Sequence, residues 1–200
     1  MRPHLSPRHA LIAALATAVL ATGATAAFAA PVGPASVHGT LRPLVELSAQ
    51  RVLVADEVAA AKWGTDSPID DPAREREVLD AVARQAEELG ADPVATSRIF
   101  RDQIEASKVV QRGLYRRWDA DPAQAPTERP DLGRIRLEIN RINGELVRAI
   151  ADSAAVREAP SCVGRLTAGA AAVIRGRHLD ALHSVALGRS LPSVCERAAP

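Results

Sequence analysis

Apolar residues recur at alternating spacings of three and four along most of this chain, as they do where helices pack side by side. The first such pattern spans residues 42–63, and residues 64–72, with two prolines, read as a turn. A second pattern opens on Pro72, a residue favoured in a first helical turn, and stops at Gly90. The third follows Asp92-Pro93 and continues to Trp118. A polar loop containing Pro122, Pro126 and Pro130 then leads to a fourth over residues 131–156. Beyond Pro160-Ser161-Cys162 the tail predicts two short helices broken near Gly176-Arg177-His178. Alternating β-branched and polar positions are hard to find, and aromatic residues make up only 2% of the chain, so strands are not expected. The pattern predicts an all-α fold: a helical bundle of about four long helices plus a short helical C-terminal extension.

The N-terminus has a different character. Arg2, His4 and Arg8 precede an apolar run over residues 10–20, and small residues fill 21–30. That is the layout of a cleavable signal peptide, with Ala27-Phe28-Ala29 fitting the cleavage site. An uncleaved anchor is the alternative, but the run is shorter than the ~20 residues a span needs. The expected organisation is a signal peptide over 1–29, a flexible leader over 30–40, and a single helical domain over 41–200, of which 156–200 form the extension. No later segment is apolar enough to span, so no membrane association is expected after cleavage. In an exported chain, Cys162 and Cys195 are expected to form a disulfide.

Charge adds little direction of its own. Lys and Arg number 25 against 24 Asp and Glu, so no overall field favours nucleic acid, and any anion site must be local. Local exceptions to the apolar pattern carry more information. In the first helix Arg51 stands in the seam formed by Leu44, Leu47, Val54, Val58 and Ala61. Lys62 follows eleven residues later, about three turns on, so both cations share one face roughly 16 Å apart along the axis. The third helix has the seam Phe100, Ile104, Ser107, Gln111, Leu114 and Trp118, with two polar members in succession. In the second, Glu75 shares a stripe with Asp71, Val78 and Val82, and Arg74 lies beside it. In the fourth, Arg136 adjoins the run Leu132, Ile135, Ile139, Ile142 and Leu146.

Each exception has an ordinary structural explanation. Arg51, Arg74 or Arg136 could lie along the surface with only its stem packed, and Lys62 could snorkel from a helix end. Ser107 and Gln111 could satisfy each other, and Glu75 could pair with Arg74 or Lys62. The coincidence across four helices argues for more, because buried cations with too few carboxylates call for a ligand that supplies negative charge.

The stretches RVLVADEVAAAKW from Arg51, PIDDPAREREVL from Pro68 and SRIFRDQIEASKVVQ ending at Gln111 resemble the helical chorismate mutases. PDLGRIRLEINRIN and the tail with PSC and RGRHLDALHSVAL are similar to the secreted gamma subclass of that family. The resemblance covers roughly residues 42–197. It implies conversion of chorismate to prephenate by an isomerase that needs no cofactor and no metal, and it implies a homodimer. By position it implies that Arg51 and Arg136 bind substrate carboxylates, and that Lys62 and Gln111 address the ether oxygen of the breaking bond. Arg74 is then a further cationic contact, Ser107 a hydroxyl donor to a carboxylate, and Glu75 the partner of the ring hydroxyl. Two positions depart from secreted relatives: Val78 stands where they can carry a polar side chain, and Gln111 where they can carry glutamate.

Other chemistries lack their residues. His4 and His9 lie in the signal peptide and His38 in the leader, while His178 and His183 are spaced so as not to share a helix face. No phosphate-binding glycine loop follows a strand, and no nucleophile elbow is present. The competing expectation is a non-catalytic exported helical bundle that binds a protein partner or a small anion, or a mutase fold that has lost turnover.

Overall fold

The computed structural model describes residues 40–195, which form seven α-helices and one 3-10 turn and contain no strand. The signal peptide and the leader, Thr40 apart, lie outside the described residues, as do His4, His9 and His38. The helices are α1 (Arg42–Lys62), α2 (Pro72–Glu88), α3 (Pro93–Ala120), α4 (Leu132–Asp152), α5 (Ala154–Glu158), α6 (Cys162–Gly176) and α7 (Ala181–Arg189).

Aspartates set where most of the long helices begin. Asp71, Asp92 and Asp131 each accept a hydrogen bond from a first-turn amide of α2, α3 and α4, and Asp180 does the same for α7. Prolines occupy the first turns of α1, α2 and α3, where no amide hydrogen is missed. Past the end of α2, Gly90 takes a positive φ of 69°, a conformation that glycine adopts without steric cost. The pattern over 131–156 predicts one helix, whereas α4 stops at Asp152 and a separate turn, α5, follows. The cause is Ser153, whose buried hydroxyl donates back to the carbonyls of Ala149 and Ile150 at the point where the backbone leaves the helical region.

Helix α1 is central, packing against α3, α4, α6 and α7, while α2 closes over α3 and α4. The main core holds Leu44 and Val45 of α1, Ile99 and Phe100 of α3, Ile142, Leu146 and Ile150 of α4, and Leu187 of α7, all fully buried. A second cluster is built on small residues, Ala55 and Ala59 facing Ala106, which let α1 and α3 approach closely. At Gly113 a β-carbon would stand 2.5 Å from a methyl of Leu182, so glycine lets α3 and α7 approach closely here and any larger residue would have to displace the Leu182 side chain.

Polar contacts fix the extension as firmly as apolar ones. Gln103 donates to Ser48 Oγ and to the Ser190 carbonyl, joining α3 to α1 and to the end of α7. Asp102 accepts from Arg189 at 2.6 Å and from the Ser193 amide, and buried Arg157 donates to the Val194 carbonyl. The expected disulfide is present: Cys162 at the start of α6 is bonded to Cys195. Closing a loop between residues 33 apart constrains the unfolded chain by about 3–4 kcal/mol on the chain-entropy model.

His183 supplies a further clasp. Its ring lies 2.9 Å from Asp56 of α1 and 2.6 Å from Asp180, the cap of its own helix, and Arg117 of α3 acts on Asp180 as well. The bond to Asp56 raises the imidazolium most, burial opposes it, and Asp180 adds to the rise, bringing the group to about 9. A raised value means that the folded state holds the proton more tightly. The stabilisation is therefore complete below about pH 6.5 and is lost as pH rises towards 9. Accordingly, His183→Gln is expected to cost about 1–2 kcal/mol in urea unfolding at pH 6 and little at pH 10, the half-exposed aspartates limiting the effect.

Candidate active site

Every polar exception in the helix seams faces one cleft. It encloses about 110 Å³, its mouth is open to solvent, and it is walled by α1, α2, α3, α4 and the linker between α1 and α2. Arg51, Lys62, Arg74, Glu75, Ser107, Gln111 and Arg136 all line it, as does Val78. Val58, Ile69, Ile104, Leu132 and Ile139 give it an apolar floor and rim.

Arg51 is the deepest of these. It is 8% exposed, donates from Nη1 to Asn143 Oδ1 of α4, and lies 5.9 Å from the ring centroid of Phe100. Its Nε is buried with no hydrogen-bond partner, and no carboxylate stands beside it. Burial alone pushes the guanidinium down to about 10. Lys62 occupies the last turn of α1 and donates to the Pro68 carbonyl at 2.7 Å, holding the linker at the mouth. Burial lowers this ammonium most, Asp71 opposes the shift and Arg136 adds to it. Arg136 itself reaches the cleft with no hydrogen-bonding or ion-pair partner among the described residues. Arg51, Lys62 and Arg136 thus come from two helices onto one cavity without a direct carboxylate partner.

The other charged groups are already matched. Arg74 pairs with Glu77 at 2.9 Å and donates to Asn140 of α4 at 3.3 Å. Glu75 pairs with Lys108 of α3 at 2.8 Å, not with Arg74 or Lys62. Asp71 is spent on the cap of α2. Gln111 Nε2 donates to the Ser107 hydroxyl and carbonyl at 3.2 and 3.3 Å, so these two do satisfy each other in part, while Gln111 Oε1 is buried without a partner.

Two members of the site have no counterpart among the seam exceptions. Lys108 follows Ser107 directly and so falls off the seam. Asn143 sits beside Ile142 in an apolar run, and its sole signal is that a polar residue there must find a partner. No group of His, Cys, Asp and Glu among the described residues could hold a metal ion. The arrangement offers fixed cationic and amide donors around an apolar floor, suited to gripping a small dianion and to stabilising negative charge that develops on an oxygen.

Comparison with known proteins agrees with this geometry. Residues 42–112 match the family model described as chorismate mutase type II. The chain is 36% identical over 190 residues to a secreted chorismate mutase of Mycobacterium tuberculosis, covering 93% of this chain and 95% of that one. It is also 36% identical over 178 residues to a secreted chorismate mutase of Mycolicibacterium smegmatis, covering 86% and 98%. Among solved structures, a chorismate mutase from Burkholderia thailandensis superposes with a TM-score of 0.74 at 37% identity, covering 78% of this chain and 98% of that one.

A buried cation without a counter-charge lowers stability until a ligand arrives. Arg51→Met keeps the stem's packing and removes the charge, at the cost of the one hydrogen bond that Arg51 donates to Asn143. It is expected to raise the unfolding free energy in urea by about 1 kcal/mol.

Proposed function

The chain belongs to the chorismate mutase family, and we propose that its cleft, in an exported isomerase, rearranges chorismate to prephenate. The observation that carries this reading is the trio Arg51, Lys62 and Arg136, which meet at one cavity without carboxylate partners. Chorismate is a dicarboxylate, and its two negative charges are what the trio lacks. The signal-peptide pattern over residues 1–29 supports export, and no described helix is long and apolar enough to cross a membrane. The homodimer that the family resemblance implies forms part of the proposal, with each cleft lined from a single protomer.

The reaction is a cyclic shift in which an ether C–O bond breaks as a C–C bond forms. It asks no side chain to give up or accept a proton. What it requires is a compact conformation of the enolpyruvyl group over the ring, and stabilisation of the charge that gathers on the ether oxygen. We assign Arg51 and Arg136 to the two carboxylates, since a planar guanidinium binds a carboxylate bidentately. Ser107 and Arg74 assist there. Lys62 of α1 and Gln111 of α3 address the ether oxygen, and Glu75 accepts from the ring hydroxyl, replacing the polar group that Val78 cannot supply.

These roles separate kinetically. A carboxylate contact is made in ground and transition states alike, whereas charge on the ether oxygen appears only in the transition state. Arg136→Ala is therefore expected to raise KM by about 10-fold or more, and Lys62→Ala to lower kcat by about 10²–10³-fold, both with an unchanged circular dichroism spectrum. If both variants remain folded and turn over chorismate as the parent does, the assignment of this cleft is wrong.

The pH dependence follows from the same two donors. Lys62 brings a positive charge to the ether oxygen only while protonated, and because burial lowers its value in the free protein, the alkaline fall of kcat/KM is expected below the ordinary lysine range. Gln111 needs no proton to donate, so no acidic requirement is expected. Gln111→Glu should create one, with kcat/KM high at acidic pH and falling as the new carboxyl ionises, as a pH–rate profile would show.

A further inference from the structure

Lys108 is a buried cation at the cleft that the proposed reaction does not use. Its side chain is 9% exposed, and its ammonium contacts three carboxylates: Glu75 at 2.8 Å, Glu105 at 2.8 Å and Asp70 at 3.2 Å. Asp70 belongs to the linker between α1 and α2, and Arg112, one turn after Lys108, donates to both of its oxygens at 2.7 Å. One face of α3 therefore holds a wall residue of α2 and the linker that closes the mouth. The bond from Lys108 takes Oε1 of Glu75 and leaves the second oxygen to accept from a ligand.

Glu75 needs such a neighbour. A carboxylate in the wall of a cleft that receives a dianion repels the ligand unless its charge is matched. None of the other cations lining the cavity pairs with Glu75: Arg74 of the same helix binds Glu77, Lys62 of α1 donates to Pro68, Arg51 of α1 donates to Asn143, and Arg136 of α4 faces the open cleft. Asp70 and Asp71 add negative charge from the linker. Among the described residues Lys108 alone forms an ion pair with Glu75.

We propose that Lys108 is a positioning residue of the reaction, holding Glu75 as a charge-neutralised hydrogen-bond acceptor beside the dianionic substrate and fixing the linker through Asp70. The proposal rests on the mutase reading and deepens it by explaining how a carboxylate is tolerated in a site for an anion. Burial pulls the Lys108 ammonium down, but its hydrogen bonds to Glu105, Glu75 and Asp70 outweigh this and hold it protonated above the ordinary lysine range. The pair therefore persists across the working pH range.

A double-mutant cycle between Lys108→Met and Glu75→Gln tests the coupling, with chorismate as substrate and circular dichroism as the check on folding. In K108M, KM is expected to rise at least 10-fold with a smaller change in kcat. Its kcat/KM is also expected to fall with rising pH between about 4 and 7, as an unmatched carboxylate forms opposite the dianion. In the E75Q background the same Lys108→Met change should cost less than about 3-fold, and the new pH dependence should vanish. Equal losses in both backgrounds with no altered pH profile would overturn the proposal and leave Lys108 a strut. If the parent protein does not turn over chorismate, the mutase reading itself fails and the proposal with it, whereas turnover without coupling sinks the proposal alone.

Discussion

Arg51 carries a positive charge into the interior of a helix bundle, and the surrounding residues are arranged around the cost of holding it there. A cation that loses its water needs hydrogen bonds, a counter-charge or both. The bundle supplies one acceptor, the amide oxygen of Asn143, and a ring face from Phe100, and no carboxylate. Carboxylates do lie near the cleft, but each has other work: Asp71 caps α2, Glu77 binds Arg74, and Asp70 and Glu75 bind Lys108. The positive charge of Arg51, Lys62 and Arg136 is thereby left for a ligand to neutralise. Binding energy kept in this form is selective, because a monoanion or a neutral ring would leave part of it unmet.

Such a site works only if its walls do not relax around the unmatched charges. The C-terminal extension supplies rigidity from outside the cleft. α7 packs on α3 where Gly113 permits close approach, Gln103 bonds both α1 and the end of α7, and His183 joins α7 to α1. The Cys162–Cys195 disulfide closes this layer. These contacts hold α1 and α3, which carry Arg51, Lys62, Ser107 and Gln111, at a fixed separation, so the donors keep their geometry when no ligand is present.

Much of this was legible along the chain because local rules agree with the fold. The Asp-Pro and Gly breakers mark helix ends that the structure reproduces to within a few residues, and Arg51, Ser107 and Gln111 betray themselves as polar interruptions of apolar seams. The break after Asp152 was not legible, since a serine that bonds back to its own helix looks like any other helical serine. Lys108 was hidden because it falls off the seam and two of its three carboxylate partners come from the linker and α2. That Glu75 chooses Lys108 over Arg74 or Lys62 depends on helix rotation, which spacing along one helix does not determine. Asn143 acquires meaning only beside Arg51, 92 residues away.

The most direct test of the account is to follow chorismate absorbance with purified, oxidised protein comprising residues 30–200, and to identify the product. The account predicts enzyme-dependent loss of chorismate with matching formation of prephenate. A folded, disulfide-bonded sample that leaves chorismate unchanged would contradict it, and the unpaired cations would then have to serve an anion that the protein binds without converting.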